Sequence, residues 1–252
     1  MRFAVVTGVS KGLGESAAKL LLESGVHVIG ISRRSNNSLN DYAKTNNVTY
    51  QHYACDLGDI DRTEQTANEI SESVFSQDPE TVYLINNAAV LEPVDQSMNL
   101  PSDDLAYHIQ VNTIAPMVMM NVFLKQAAET DVQFIGTTIT SGAAERPVYG
   151  WSAYCTSKAS MNMFTTTAAL EQQELGTESK VIAFSPGVMD TDMQEKIRSS
   201  DADAFKDVDD FREYKWKNLL KDTDVVGGVL VDILTDEAAI TNGKIYYVKD
   251  YL

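Results

Sequence analysis

Short β-branched or aromatic runs alternate with longer helical stretches along nearly all of this 252-residue chain, and that rhythm constrains its fold more than any other feature. Phe3–Val6, Val26–Ile31, Val48–Tyr53, Val82–Ile85, Val132–Ile135, Val181–Phe184 and Lys244–Val248 read as strands. Between them, apolar residues recur at helical spacing, as at Ala17, Leu20 and Leu21 and from Ile60 through Val74. Strands separated by helices cannot pair as hairpins. They predict a mostly or fully parallel seven-stranded sheet with helices on both faces, an α/β doubly wound architecture. No linker, repeat or low-complexity tract interrupts it, so residues 1–252 are expected to form one domain. The charged stretch from Asp190 to Lys221 breaks the rhythm. It reads either as a solvated helical excursion with a few aromatics packing down, or as a mobile substrate cap at about 190–221, because ligands of open α/β sheets sit beyond the carboxyl ends of strands.

The first strand runs into Thr7-Gly8-Val9-Ser10-Lys11-Gly12-Leu13-Gly14 and then a helix. Glycines there are compatible with a plain tight turn. They also let a backbone approach a pyrophosphate, with the helix N-terminus offering unpaired N–H groups. The end of the second strand carries Ser32, Arg33 and Arg34 where NAD-binding chains tend to place an acid on the ribose hydroxyls. An arginine suits a dianionic 2′-phosphate, and Lys11 could add a second cation. The reading is NADP(H) rather than NAD(H), against the plainer one of a surface basic pair.

Tyr154 and Lys158 are spaced i, i+4 and share one helix face. An ammonium beside a phenol is expected to lower the tyrosine pKa from its ordinary value near 10 and so fit it to proton transfer. The formal charge of -16 argues against nucleic acid or an anionic membrane surface as partner. No apolar run reaches the roughly 20 residues of a spanning helix, and the N-terminus reads as a strand, not a secretory signal. Cys55 and Cys155, far apart, read as reduced thiols of a cytoplasmic protein. His27, His52 and His108 lack metal-ligand spacing; they read as ordinary residues, and no metal site is expected.

Taken together, these motifs resemble the short-chain dehydrogenase/reductase family over almost the full length. Thr7 to Gly14 matches its glycine motif, and Asn86-Asn87-Ala88-Ala89 matches its Asn-Asn-Ala-Gly with alanine in the last place. Asn112, Ser141, Tyr154 and Lys158 match its catalytic set, and Asp56 its adenine-contacting aspartate. Pro186, Gly187 and Thr191 match the turn and threonine near the nicotinamide. The resemblance implies a Rossmann-type fold and cofactor contacts that also include Leu57, Val188 and Met193. It implies hydride transfer between C4 of the nicotinamide and a carbonyl carbon, with Tyr154 protonating the developing alkoxide. Ser141 would hold the carbonyl oxygen, Lys158 would bind the nicotinamide ribose, and Asn112 would hold a water that relays the proton. A homodimer or homotetramer is implied too, paired through the helices that contain Asn112 and Tyr154.

Within the family the chain resembles sepiapterin reductases and bacterial benzil reductases, through Gly150 to Cys155, Lys158-Ala159 and Pro186 to Gln194. That implies a small-molecule carbonyl substrate, a vicinal diketone or a keto side chain. Tyr149, Trp151, Met189 and Met193 could wall an apolar pocket, or simply pack under the cap. Asp250 falls near a substrate-anchoring aspartate of sepiapterin reductase. Two alternatives stand beside this reading. A 3-oxoacyl thioester reductase must dock an acidic carrier, which an acidic surface disfavours. A non-catalytic NADP(H) sensor usually lacks the tyrosine or lysine.

Overall fold

The computed structural model describes residues 1–252. Its first half runs β1 (Arg2–Thr7), α1 (Gly12–Glu23), β2 (His27–Ser32), α2 (Ser38–Thr45), β3 (Tyr50–Ala54), α3 (Ile60–Phe75) and β4 (Thr81–Asn86). Next come α4 (Ser102–Ile109), a π-turn at Gln110–Ile114, α5 (Ala115–Thr130) and β5 (Gln133–Ile139). The remainder is α6 (Ser152–Leu175), β6 (Lys180–Ser185), α7 (Asp192–Arg198), α8 (Val208–Trp216), α9 (Thr223–Thr235) and β7 (Ile245–Tyr247).

All seven strands are parallel, in the order β3-β2-β1-β4-β5-β6-β7. Successive side chains of a strand point to opposite faces, and β1 uses both. Ala4 and Val6 pack with Leu21 and Leu22 of α1 and Leu230 and Leu234 of α9. Phe3 and Val5 pack with Ile70 of α3 and with Met119 and Phe123 of α5. A central strand is covered on both faces, and β4 is buried at every position, with apolar or aromatic Val82–Ile85 between Thr81 and Asn86. The order reverses between β1 and β4. The loops leaving those two strands therefore diverge and open a crevice at the carboxyl edge, where such sheets bind ligands.

Most strand ends shift by a residue from the sequence expectation, and two larger differences have local reasons. β3 begins at Tyr50 because Val48 closes the end of α2, its N–H donating to the Ala43 carbonyl across Asn47 at φ +55°. β5 continues through Ile139 because Thr137 and Thr138, polar but buried, keep pairing with β4 and β6. The Asp190–Lys221 segment leaves and rejoins the fold at one point. Asp190 N–H donates to Lys221 O, and Lys221 N–H to Val188 O. Between those ends α7 and α8 are tied by Gln194 Nε2 donating to Phe211 O at 3.1 Å.

Candidate active site

The glycine turn is locked to the loop after β4 by Thr7 and Asn87. Thr7 Oγ1 accepts from the backbone N–H groups of Asn87 (2.9 Å) and Ala88 (3.0 Å), and Asn87 Nδ2 donates to Thr7 O at 2.9 Å. Gly14 is what lets these layers close. A Cβ there would stand 2.3 Å from Gly8 O and 2.4 Å from Asn87 Nδ2, far inside contact distance. Lys11 is the N-cap of α1 and its side chain caps nothing. The first-turn amides are left to face a ligand, as an anion site requires.

Arg33 and Arg34 stand exposed along the same cleft and form no ion pair. Ser32 fixes the backbone beneath them, its hydroxyl donating to Arg34 O at 2.8 Å. Lys11, by contrast, is paired with Asp192 at the start of α7. The Lys11 ammonium in turn holds the Asp192 carboxyl below the usual carboxylate range. Asp56 lines the cleft with Tyr107, whose hydroxyl donates to Asp56 Oδ1 at 3.4 Å.

Ser141 follows β5, and its Oγ accepts from Ala143 N–H at 3.2 Å. Its own proton stays free to donate. Tyr154 and Lys158 lie one turn apart on α6, both buried. Burial pushes the Tyr154 phenol up to about 12, with the neighbouring Ser141 hydroxyl pulling the other way. Burial also brings Lys158 down to about 8. The lowering by Lys158 expected from the sequence is not the leading influence on Tyr154, where burial comes first. Desolvation dominates for both groups, and Lys158 Nζ donates to Ile139 O at 2.8 Å while lying 5.6 Å from the centre of the Tyr154 ring. Tyr154 is therefore protonated at neutral pH, ready to donate.

These groups share one cleft of about 1240 Å³, room enough for a dinucleotide and a substrate. The structure brings to its wall Gly8, Ser10, Lys11, Gly12, Leu13, Ser32, Arg33, Arg34, Asp56, Leu57, Asn87 and Ala88 from the cofactor set. Ser141, Tyr154, Lys158, Pro186, Gly187, Val188, Thr191 and Met193 join them, with Trp151 and Met189 from the substrate set. Thr7, Gly14 and Asn112 lie one layer behind, where they shape the wall without lining it.

Two expected substrate residues fall outside the wall. Tyr149 is exposed, under Lys206 Nζ at 5.8 Å from its ring. The turn at Gly150 (φ +83°) separates it from buried Trp151. Asp250 is exposed on the turn after β7, which carries it past the cleft; Tyr247, Val248 and Lys249 line the wall instead.

The far wall is aromatic. Trp151 stacks on Phe205 at 4.7 Å and 8°, contacts Phe211 at 5.5 Å, and meets Tyr154 edge-on at 5.3 Å. Phe205 and Phe211 come from the Asp190–Lys221 segment, so its aromatics pack down while Trp216 stays 81% exposed. His108, read as ordinary, is wholly buried against Asn112. Its i, i+4 spacing from Asn112 was the available signal.

Fold and cleft together define a nicotinamide-dependent oxidoreductase, and comparison with known proteins gives the same class. The family model described as short chain dehydrogenase matches residues 2–202, and the chain belongs to that family. It is 36% identical over 237 residues to a benzil reductase ((S)-benzoin forming) from Bacillus cereus, covering 94% of this chain and 95% of that one. A benzil reductase ((S)-benzoin forming) from Bacillus subtilis (strain 168) is 35% identical over the full length of both. The crystal structure of the KRED1-Pglu enzyme superposes with a TM-score of 0.82 at 26% identity, over 97% of this chain and 100% of that chain. The protein is thus an NAD(P)-dependent carbonyl reductase in its broad class.

Proposed function

We propose that this protein reduces vicinal diketones carrying aromatic groups, with NADPH as the electron donor. The observation that carries the reading is the continuity of Tyr154 with Trp151 and Phe211, which line the cleft and are backed by buried Phe205. An aryl ring resting on that wall puts its neighbouring carbonyl within reach of the phenol. The names of the two Bacillus relatives support the same substrate class. Free Arg33 and Arg34, with no acid at the end of β2, support NADPH.

When bound, the nicotinamide supplies the hydride. Tyr154, neutral across the physiological range, gives its phenolic proton to the carbonyl oxygen as charge develops there. Ser141 donates its free hydroxyl proton to the same oxygen and stabilises that charge. Lys158, which donates to Ile139 O, would hold the cofactor ribose, and Asn112 would hold a water that returns a proton to Tyr154. Lys11, paired with Asp192 of the cap, would add its charge to that of Arg33 at the 2′-phosphate. The Asp190–Lys221 segment serves as the cap over the substrate. The exposed apolar residues Ile114 and Met163, beside the Asn112 and Tyr154 elements, fit a homodimer or homotetramer joined through that face.

Cofactor oxidation followed at 340 nm with benzil, 1-phenyl-1,2-propanedione, sepiapterin and an acetoacetyl thioester tests this, repeated with NADH. The expected result is turnover of the aryl diketones with NADPH at least tenfold above NADH. Activity on the thioester alone would replace the substrate reading, and a preference for NADH would remove the roles of Arg33 and Lys11.

A further inference from the structure

We propose that His108, which never reaches the cleft, is the positioning residue of the proton-handling face. It holds Asn112 through a bare imidazole nitrogen, and through Asn112 it holds the cleft floor at Val90. The inference rests on the reading of Asn112 and Tyr154 given above, and it adds a residue that no motif of this chain singles out.

The network leaves little freedom in its protons. Val90 N–H donates to Asn112 Oδ1 at 2.8 Å, which fixes which end of the side-chain amide is oxygen. The Asn112 Nδ2 group therefore has two hydrogens to place. One goes to Val90 O at 2.8 Å and the other points at His108 Nε2, 3.0 Å away. On the opposite side of the ring, His108 Nδ1 lies 2.7 Å from Glu92 O. A carbonyl only accepts, so Nδ1 carries the ring proton and Nε2 is the acceptor that Asn112 needs. Burial keeps the ring in this neutral form. Ser157 Oγ, also 3.1 Å from Nε2, donates instead to Tyr154 O at 2.9 Å.

The elements joined here explain why this matters for the reaction. His108 lies in the last turn of α4, just before the π-turn that carries Asn112, and its ring meets the Tyr154 ring edge-on at 6.2 Å. Val90 is part of the cleft wall. Glu92, whose carbonyl anchors the ring, pairs through its carboxylate with Lys196 of α7. One buried imidazole thus ties the relay asparagine, the cleft floor and the helix of the proton donor into a single unit. A leucine of similar bulk would fill the space and leave that Asn112 proton only the longer contact to Ser157 Oγ, at 3.4 Å. A glutamine can donate to Glu92 O and accept from Asn112.

The test compares His108→Leu with His108→Gln in benzil reduction, alongside ¹⁵N NMR of the wild-type imidazole. The expected result is a kcat at least about tenfold lower in His108→Leu, at an unchanged KM for NADPH, and recovery to within about threefold in His108→Gln. Near-wild-type kcat in His108→Leu, or equal losses in the two variants, overturns the proposal. The NMR measurement needs no substrate and stands even if His108→Leu fails to fold. The Nδ1–H tautomer supports the network, and the Nε2–H tautomer overturns it. If the wild-type enzyme reduces no diketone, the functional reading fails and the tautomer still decides the positioning.

Discussion

The two ends of the cleft are built in different ways. At the cofactor end, main-chain geometry is the device: Thr7, Asn87, Gly8 and Gly14 clamp one loop against another with little help from bulky side chains. At the substrate end, Trp151 packs against Tyr154 on one side and against Phe205 and Phe211 from a distant segment on the other, and the wall exists only because those side chains stack. The first kind of site tolerates no change of backbone space. The second should tolerate changes of shape and pass them on to specificity.

Trp151→Ala should break the second end while sparing the first. Removing a buried tryptophan from this stack is expected to cost about 3–5 kcal/mol of stability, read as a lower urea midpoint. The KM for benzil should rise more than tenfold while NADPH affinity by fluorescence titration stays within about twofold. Equal damage to both would mean that the two ends are one cooperative unit.

That contrast also sets what could be read from the chain. The alternation of strands and helices, the glycine turn and the Tyr154–Lys158 spacing are local patterns. The structure places Gly8, Gly12, Tyr154 and Lys158 on one cleft as those patterns imply. Trp151 was legible as a neighbour of Tyr154. Its partners Phe205 and Phe211 were not, because nothing local distinguishes an aromatic that packs inward from Trp216, which stays exposed in the same segment. Tyr149 and Asp250 stand outside the cleft wall for a related reason: proximity in sequence does not fix direction after a turn. The pairwise rule applied to the phenol omits burial, which is the first influence on Tyr154 and Lys158 alike.

Arg33→Ala should give the complementary result at the cofactor end. Losing a charge-assisted contact to the 2′-phosphate is expected to weaken NADPH binding between about tenfold and a hundredfold and to leave NADH binding unchanged. An equal loss for both cofactors would move Arg33 away from the 2′ position. A smaller effect belongs to the seam between the ends, where Lys158 sits. Its pKa is lowered to about 8, so its charge is present below that pH and is lost above it. Tyr154, held up to about 12, keeps its proton throughout. With NADPH saturating, kcat/KM for benzil should fall by up to about tenfold from pH 7 to pH 9. A rate that rises over this interval would show that neutral Lys158 is the active form.

The central claim is that the proton reaching the carbonyl oxygen comes from Tyr154, and Tyr154→Phe tests it with the rest of the cleft intact. Benzil turnover should fall by roughly 10²–10⁴, while NADPH affinity measured on the same preparation stays within about twofold of wild type. Turnover near the wild-type rate in a variant that still binds NADPH would contradict the account.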